Sequence, residues 1–191
     1  MQHTILKNFN KYITLNKVET KALLNIVQER KVAKREIIQQ PCTVCNFQTY
    51  IIKGALRSYF ITPKGIEHTI SFAIEDWFIS DFNSYIYQTP ASLYIEALEN
   101  SIIQQLKFSD VEQLCKTHPK FERFFRMAAQ KAFAYSQKRV LSNLENTAEE
   151  RYLNFKNTYP DIENRVPQYT LASYLGMSAE FLSKIKKKIS S

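Results

Sequence analysis

The residues whose types and spacing could do chemistry are two cysteines, Cys42 and Cys45, in the stretch CTVC. A Cys-x-x-Cys spacing is typical of half a zinc site or of a thiol redox pair. Complete zinc and iron–sulfur sites usually need about four such ligands. The third cysteine, Cys115, is far away in the sequence, and no histidine stands beside the pair. The pattern therefore predicts no metal, and it leaves two alternatives: cysteines without a chemical role, or a thiol-based redox response through Cys42 and Cys45.

The other candidate for chemistry is Glu67 beside His68, which could serve a metal enzyme built on a small barrel. Adjacent residues on a strand point to opposite faces, so these two side chains do not easily reach one metal. The chain has only three histidines, which are dispersed, and three glycines, which do not form a phosphate-binding loop. No Ser–His–Asp grouping is evident either. The sequence therefore predicts no catalytic residue and no enzyme.

Composition and charge narrow the class of protein further. A chain of 191 residues that is 45% hydrophobic can fill the core of one or two domains. It has no apolar run of the ~18–20 residues that a membrane span needs, and its start lacks a signal peptide. Sparse cysteines fit a reducing compartment, so we expect a cytoplasmic protein without a membrane partner.

The basic residues are concentrated near the C-terminus. Residues 1–119 carry 13 Lys and Arg against 11 Asp and Glu, whereas residues 120–191 carry 13 against 7. This excess of positive charge could bind a polyanion, or it could belong to an ordinary solvated surface.

A helix–glycine–helix pattern lies within the basic region, over residues 169–188. Thr170 can cap a first helix, Gly176 can supply a left-handed turn, and Ser178 can cap a second helix. Leu171, Ala172 and Leu175 of the first helix are predicted to face inward, and Phe181, Leu182 and Ile185 are the apolar residues of the second. This is the pattern of a DNA-binding helix-turn-helix, whose second helix enters the major groove, although packed helical hairpins share it.

Several side chains of this segment suit DNA contacts. Glutamate can accept from cytosine N4, lysine can donate to guanine or phosphate, and a lysine run adds salt-sensitive attraction. The predicted DNA-binding residues are Tyr169, Thr170, Ser178, Ala179, Glu180, Ser183, Lys184 and Lys187.

The segments before this unit predict the elements that would position it. Short runs rich in Ile, Phe, Tyr and Thr fill residues 32–108 and are separated by turn signals, which indicates an antiparallel barrel or jelly roll. Three shorter helices are predicted. One spans residues 16–30, and the other two begin at capping boxes, one at Ser109 and one at Thr147.

A long helix is predicted over residues 119–146. Its apolar and small residues recur at steps of three and four: Phe125, Ala129, Ala132, Ser136, Val140 and Leu144. Such a helix would be about 40 Å long, too long for one small barrel to cover. It predicts a homodimer that pairs two copies of the helix, with a helix lying across its own barrel as the alternative.

This order of parts resembles the Crp/Fnr superfamily of bacterial transcription regulators over nearly the whole chain. The stretches that carry the resemblance are YIIKGALRSYF (50–60), EDWFISDF (75–82), AEERYLNF (148–155) and PQYTLASYLGMSAEFLSKIKKK (167–188). The resemblance implies an α+β fold with an N-terminal antiparallel β-roll of the jelly-roll, cyclic-nucleotide-binding type. It also implies a homodimer that binds double-stranded promoter DNA and acts on RNA polymerase.

The expected domains are an effector-type β-roll with flanking helices at 1–118, a dimerisation helix at 119–146 and a helix-turn-helix at 147–191. The β-hairpin wing that often follows the helix-turn-helix in this family is expected to be absent. A protein-interaction module that does not bind DNA is the alternative function.

The family's effector site is only partly recognisable. The resemblance places its Gly-Glu pair at Ser80 and Asp81, and its phosphate-binding arginine at Ala91. Because alanine lacks the guanidinium fork that matches a phosphate, cAMP is not expected to bind and no cofactor is predicted. Other candidate pocket residues are Arg57, Ser92, Ser136 and Gln137; a paired strand residue is the alternative for Arg57, and a dimer-seam residue for Ser136.

Overall fold

The computed structural model describes residues 4–159 and 161–190. The strands are β1 (Val27–Val32), β2 (Ile37–Gln39), β3 (Phe47–Lys53), β4 (Leu56–Ile61), β5 (Glu67–Ala73), β6 (Phe78–Ile79), β7 (Tyr94–Ala97) and β8 (Ser101–Lys107). The helices are α1 (Thr4–Asn10), α2 (Lys17–Ile26), α3 (Phe82–Tyr87), α4 (Phe108–Thr117), α5 (Lys120–Glu145), α6 (Ala148–Thr158), α7 (Gln168–Leu175) and α8 (Ala179–Ser190), with a 3-10 turn at Ile162–Asn164. None of these helices is long and apolar enough to cross a membrane.

The strands form two four-stranded antiparallel sheets, ordered β1-β8-β3-β6 and β2-β7-β4-β5. Their facing sides enclose a core of small and branched residues: Val32, Ile51, Leu56, Ala73, Ile79, Ile95, Ala97 and Ile103. Alternate residues along each strand point into this core, which is why the short β-branched runs of the sequence fold as a roll. The predicted α+β fold with an N-terminal antiparallel roll is confirmed.

The helix predicted over residues 16–30 is shorter in the structure. The capping box of Asn16 and Glu19 is present, but α2 ends at Ile26. Val27 then begins a strand that pairs with β8, opposite Leu106. Pairing along six residues of β8 outweighs the local helical pattern, which alone cannot reveal a distant partner strand.

The capping boxes predicted for the later helices have different outcomes. Thr147 and Glu150 cap α6 reciprocally, as predicted. The prediction for Ser109 is wrong, because α4 begins one residue earlier, at Phe108, and its N-cap makes no side-chain hydrogen bond. The Ser109 hydroxyl instead bonds to the carboxylate of its neighbour Asp110, at 3.1 Å.

The first turns of α5 are anchored on the roll by an aromatic cluster. Phe9 of α1 stacks on Phe124 of α5 with 3.6 Å between ring centroids, and Phe121 meets Phe9 edge-on at 5.9 Å. All three rings are almost fully buried. The long helix therefore starts from a fixed base, and its direction is set by the roll.

A second core joins the C-terminal helices to the roll. Ala55, Phe72 and Leu98 of the roll are buried together with residues of α6, α7 and α8. The three domain ranges stay a prediction, as does the missing wing, because the described residues end with α8.

Candidate nucleic-acid interface and effector region

The turn between α7 and α8 has the geometry of a helix-turn-helix. Gly176 has φ +69° and ends α7 in the left-handed region. Its N–H donates to the Ser173 carbonyl at 3.1 Å, and the next N–H, of Met177, donates to the Ala172 carbonyl at 3.0 Å. These two bonds form a Schellman motif, which satisfies the last carbonyls of α7 and turns the chain sharply.

The start of α8 agrees with the sequence prediction. The Ser178 hydroxyl accepts from the Phe181 N–H at 3.1 Å, so Ser178 caps the helix. Leu182 and Ile185 are 0% and 3% exposed, as expected for the inner face. Phe181, the third apolar residue of this helix, is 49% exposed. At 100° per residue it stands at the flank of the buried face rather than at its centre.

The start of α7 differs from the prediction at Thr170. The helix begins two residues earlier, at Gln168, after Pro167. Thr170 is fully buried within α7, and its hydroxyl has no hydrogen-bond partner. Thr170 is therefore a core residue in this arrangement, and its side chain cannot reach DNA.

The other predicted DNA-binding residues lie at or near the surface of the two helices. Tyr169 is 58% exposed. Ser178, Glu180, Lys184 and Lys187 are exposed, and Ala179 and Ser183 are partly exposed. Glu180, Lys184 and Lys187 follow one another at steps of four and three, so they form a single row on α8. A backbone hydrogen bond and the Ser178 hydroxyl lower the pKa of Glu180, which therefore stays a charged acceptor.

Two lysines of the basic run are held by acidic residues of their own unit. Lys188 pairs with Glu149 at 2.6 Å, and Lys186 pairs with Glu163 at 2.6 Å. These pairs orient the C-terminal half of α8 against α6 and the 3-10 turn.

The helix-turn-helix is docked on the edge of the roll. β5 is the outer strand of its sheet, and Ser173 of α7 lies against it. The Ser173 hydroxyl accepts from the Thr69 N–H at 2.9 Å and donates to the Glu67 carbonyl at 3.0 Å. One side chain of α7 therefore satisfies both a donor and an acceptor of the open strand.

An arginine fork fixes the connection that leads into α7. Arg165 donates to both carboxylate oxygens of Glu75 at 2.9 Å and to Glu99 at 2.6 Å. The Gly54 N–H also donates to Glu75, at 2.7 Å. Burial raises the pKa of Glu75, but the bonds from Arg165 and Gly54 outweigh burial, and the net pKa is lowered. The Arg165–Glu75 pair stays ionised and joins the segment that leads into α7 to two turns of the roll.

Three tyrosines join the long helix to the C-terminal helices. The hydroxyl of Tyr135 on α5 bonds to Tyr174 on α7 at 2.8 Å and also to Tyr159, just after α6. Burial raises the pKa of all three hydroxyls, so they remain neutral hydrogen-bonding groups. The guanidinium of Arg139 lies 4.1 Å from the Tyr174 ring centroid. Helices α5 and α7 are therefore in direct contact through these side chains.

The roll brings together four of the predicted effector-site residues. Asp81 is 3% exposed and accepts hydrogen bonds from the N–H groups of Ser84, Ser92 and Leu93, at 3.1, 2.8 and 3.0 Å. Ser80 precedes it in the chain. Ala91 is buried, and its N–H donates to the Thr43 carbonyl at 2.9 Å.

The remaining pocket candidates have other surroundings. Arg57 is 3% exposed and pairs with Glu67 and Glu96, each at 2.7 Å, with its guanidinium 4.0 Å from the Tyr59 ring. It is a paired strand residue, the alternative that the sequence left open. Ser136 and Gln137 are exposed on α5.

The two close cysteines have different environments. Cys42 is exposed, whereas Cys45 is 2% exposed, with its thiol 3.5 Å from the Phe47 carbonyl. Burial raises the pKa of the Cys45 thiol, which disfavours the reactive thiolate. In the described part of the chain, no three His, Cys, Asp or Glu residues are grouped as metal ligands. A redox role for Cys42 and Cys45 stays a prediction.

Comparisons with known proteins agree with this fold. No family model matches the chain. Electron transport regulator A of Shewanella oneidensis is 26% identical over 184 residues, covering 90% of this chain and 73% of that protein. The c-di-GMP-responsive global regulator CLP of Xanthomonas campestris has a similar structure, with a TM-score of 0.72, 14% identity and 92% of each chain covered.

A transcriptional regulator of the Crp/Fnr family from Eubacterium rectale is similar as well. Its TM-score is 0.69, with 16% identity over 92% of this chain and 84% of that one. Both solved structures are of regulators rather than enzymes. The resemblance to the Crp/Fnr superfamily is therefore confirmed at the level of the fold.

Proposed function

We propose that this chain is a DNA-binding transcription regulator of the Crp/Fnr type, which acts as a homodimer. The observation that carries the proposal is the α7–Gly176–α8 unit, with an exposed row of Glu180, Lys184 and Lys187 in the last 72 residues, which carry 13 Lys and Arg against 7 Asp and Glu. Carboxylates and ammonium groups at these positions match the donors and acceptors of base edges and phosphates.

The face of α5 supports the dimer. Large apolar side chains lie exposed along its C-terminal half: Phe133 (65%), Val140 (56%), Leu141 (52%) and Leu144 (78%). Ala132 and Ser136 of the predicted stripe are exposed beside them, and Phe125 and Ala129 are partly buried near the anchored start. A second copy of the same helix fits this face, because small residues alternate with large ones along it. A two-fold dimer would then present two α8 helices to half-sites about 34 Å apart.

Selection of a binding site from random duplex DNA at near-physiological salt tests the DNA function. We expect an enriched, two-fold-symmetric site. Lys184→Ala should weaken binding to this site by about tenfold or more. It should also reduce the slope of the logarithm of the binding constant against the logarithm of the salt concentration by about one, since one lysine contact is lost. Lys34→Ala is the matched control: it removes an exposed lysine from the roll and should leave affinity nearly unchanged. If no site is enriched and the residual binding is insensitive to salt, the proposal fails and an interaction module becomes the better description.

Sedimentation of the purified protein tests the dimer. Val140→Glu should raise the dissociation constant about 100-fold, because two-fold symmetry places the charge in the interface twice and each buried valine contributes about 1.5 kcal/mol. Lys138→Glu adds a carboxylate to the same helix on the opposite side and should leave the dimer intact. Equal behaviour of the two variants would show that this face of α5 is not the interface.

The proposal extends to partners and effector. A promoter-bound dimer would act through RNA polymerase, and cAMP would not bind, because no arginine stands at the position of Ala91. Titration with cAMP checks the second statement: we expect no saturable binding at micromolar concentrations.

A further inference from the structure

Ser173 fixes the place of α7 along the open edge of the roll. Its hydroxyl accepts from the Thr69 N–H at 2.9 Å and donates to the Glu67 carbonyl at 3.0 Å. Both groups belong to β5, the outer strand of its sheet. Backbone groups on one side of a strand recur every second residue, so the next equivalent pair lies about 7 Å further along β5. The two bonds of Ser173 therefore select one register of α7 against the strand.

The same contact determines which side of α7 faces the roll. At 100° per residue, Thr170, Ser173 and Tyr174 lie on one side of the helix. Tyr174 is 8% exposed, and its ring packs against that of Phe72 on β5 with 5.0 Å between the centroids. The hydroxyls of Thr69 and Thr170 are buried and have no hydrogen-bond partner among the described residues. Within that part of the chain, the polar contact between α7 and β5 therefore depends on Ser173.

The C-terminal helices have two further attachments, which are less exacting. The Tyr174 hydroxyl bonds to Tyr135 of α5 at 2.8 Å, and the fork of Arg165 binds Glu75. Both use long side chains, which can follow a moderate displacement by changing their torsion angles. The short side chain of Ser173 is bonded to two fixed backbone groups and tolerates the smallest shift. It is therefore the attachment that sets the position of α7 most narrowly.

Helix α8 moves together with α7. Leu182 and Ile185 of α8 are 0% and 3% exposed and belong to the core that they share with α7. In a two-fold dimer, a shift of α8 occurs in both copies and alters the separation of the two α8 helices twice over.

We propose that Ser173 is a positioning residue for DNA binding, which sets the half-site spacing that the dimer accepts. It acts through α8 and not by touching DNA, because its hydroxyl is engaged with β5. This inference rests on the proposed function and adds to it that the edge of the roll determines the spacing between the two half-sites.

A series of duplexes tests the proposal. Each carries two copies of the enriched half-site, and the centre-to-centre separation changes one base pair at a time around about 10 base pairs. One base pair displaces a half-site by about 3.4 Å along the duplex. We expect the wild type to bind one spacing about tenfold more tightly than its neighbours, because other spacings prevent simultaneous contact with both half-sites.

Ser173→Ala should reduce this preference by about three- to tenfold, because two hydrogen bonds that fix α7 are lost. Its affinity for a duplex with a single half-site should stay unchanged, since the residues that would contact DNA are intact. A general loss of stability would instead lower the affinity for single and paired half-sites alike. The comparison between the two kinds of duplex therefore separates positioning from folding.

Three variants serve as controls. Thr170→Val removes a hydroxyl from the same side of α7 without removing a hydrogen bond, and Ser109→Ala removes an exposed serine hydroxyl from α4. Both should keep the wild-type preference, and so should Ser173→Thr, which retains the hydroxyl. Fluorescence of Trp77, the only tryptophan of the chain, checks that the C-terminal helices remain packed, since its ring lies 5.6 Å from that of Tyr159.

The outcomes distinguish this inference from the proposed function. A wild type that enriches no site contradicts both. A wild type with a preferred spacing, together with Ser173→Ala that has the same preference, contradicts only the role of Ser173. Equal losses for single and paired half-sites would overturn that role as well. Alanine favours helices more than serine does, so Ser173→Ala is expected to fold. If it does not, Ser173→Cys replaces it with the same expectation, because a thiol is a weak hydrogen-bonding group of similar size.

Discussion

Replacing Gly54 with alanine is expected to destabilise the protein by at least about 3 kcal/mol, since overpacking and backbone strain each cost about 1–3 kcal/mol. Gly54 has φ +115°, a conformation that side chains rarely adopt. A Cβ atom there would lie 2.1 Å from the hydroxyl oxygen of Ser101 and 2.9 Å from its Cα. The hydroxyl can rotate away, but the backbone of β8 cannot move without disturbing both of its neighbouring strands.

Gly65→Ala is the matched control for this substitution. Gly65 also has positive φ, +76°, but no atom lies within 4 Å of the Cβ position. Only the conformational cost of about 1–2 kcal/mol should remain. Chemical unfolding of both variants measures the difference. Equal losses would show that the contact with Ser101 has no energetic weight.

Gly54→Ala should also disturb the connection between the roll and the C-terminal helices. The Gly54 N–H holds Glu75, which in turn receives the fork of Arg165. Displacement of Gly54 would loosen this pair, so the loss of DNA affinity in Gly54→Ala should exceed that in Gly65→Ala at temperatures where both variants remain folded.

The second large effect is expected at Arg57. Arg57→Ala should cost about 3–5 kcal/mol, because removing one partner of a buried ion pair leaves the other charge uncompensated. The partner left in this case is Glu96, whose side chain is only 14% exposed. The cation–π contact with Tyr59 is lost at the same time.

Two variants give the Arg57 prediction its controls. Arg30→Ala breaks an ion pair with Glu36 whose side chains are 45% and 32% exposed, and it should cost no more than about 1 kcal/mol. The double variant Arg57→Met with Glu96→Leu removes both charges and should recover much of the stability lost in Arg57→Ala. Equal losses in Arg57→Ala and Arg30→Ala, measured by urea unfolding, would contradict a buried role for the pair.

The parts of the fold that sequence reasoning found are those whose signals are local. The turn after α7 can be predicted from a glycine, and a capping box from a serine or threonine three residues before a glutamate. The long helix α5 can be predicted from the regular spacing of its apolar and small residues. Each of these is contained within a few turns of chain, and Gly176, Thr147 and the stripe have the predicted structure.

The parts that it missed depend on contacts between distant residues. Helix α7 docks on β5 through Ser173, which contacts Thr69 about a hundred residues earlier in the chain, and no local pattern predicts that contact. The fork between Arg165 and Glu75 spans 90 residues. The bonds from Ser92 and Leu93 to Asp81 cross a whole helix and its following turn. For such pairs the sequence shows the residue types, but which residues come into contact is determined only by the fold.

The hydroxyl of Ser173 has a consequence for solubility. A strand at the edge of a sheet offers unpaired N–H and C=O groups to any other chain and so promotes aggregation. On β5 two of these groups are occupied by Ser173, while Ile66 and Ile70 beside them are 53% and 37% exposed. Helix α7 therefore also protects this strand against edge-to-edge association, and a roll separated from α7 would expose an unprotected, aggregation-prone edge.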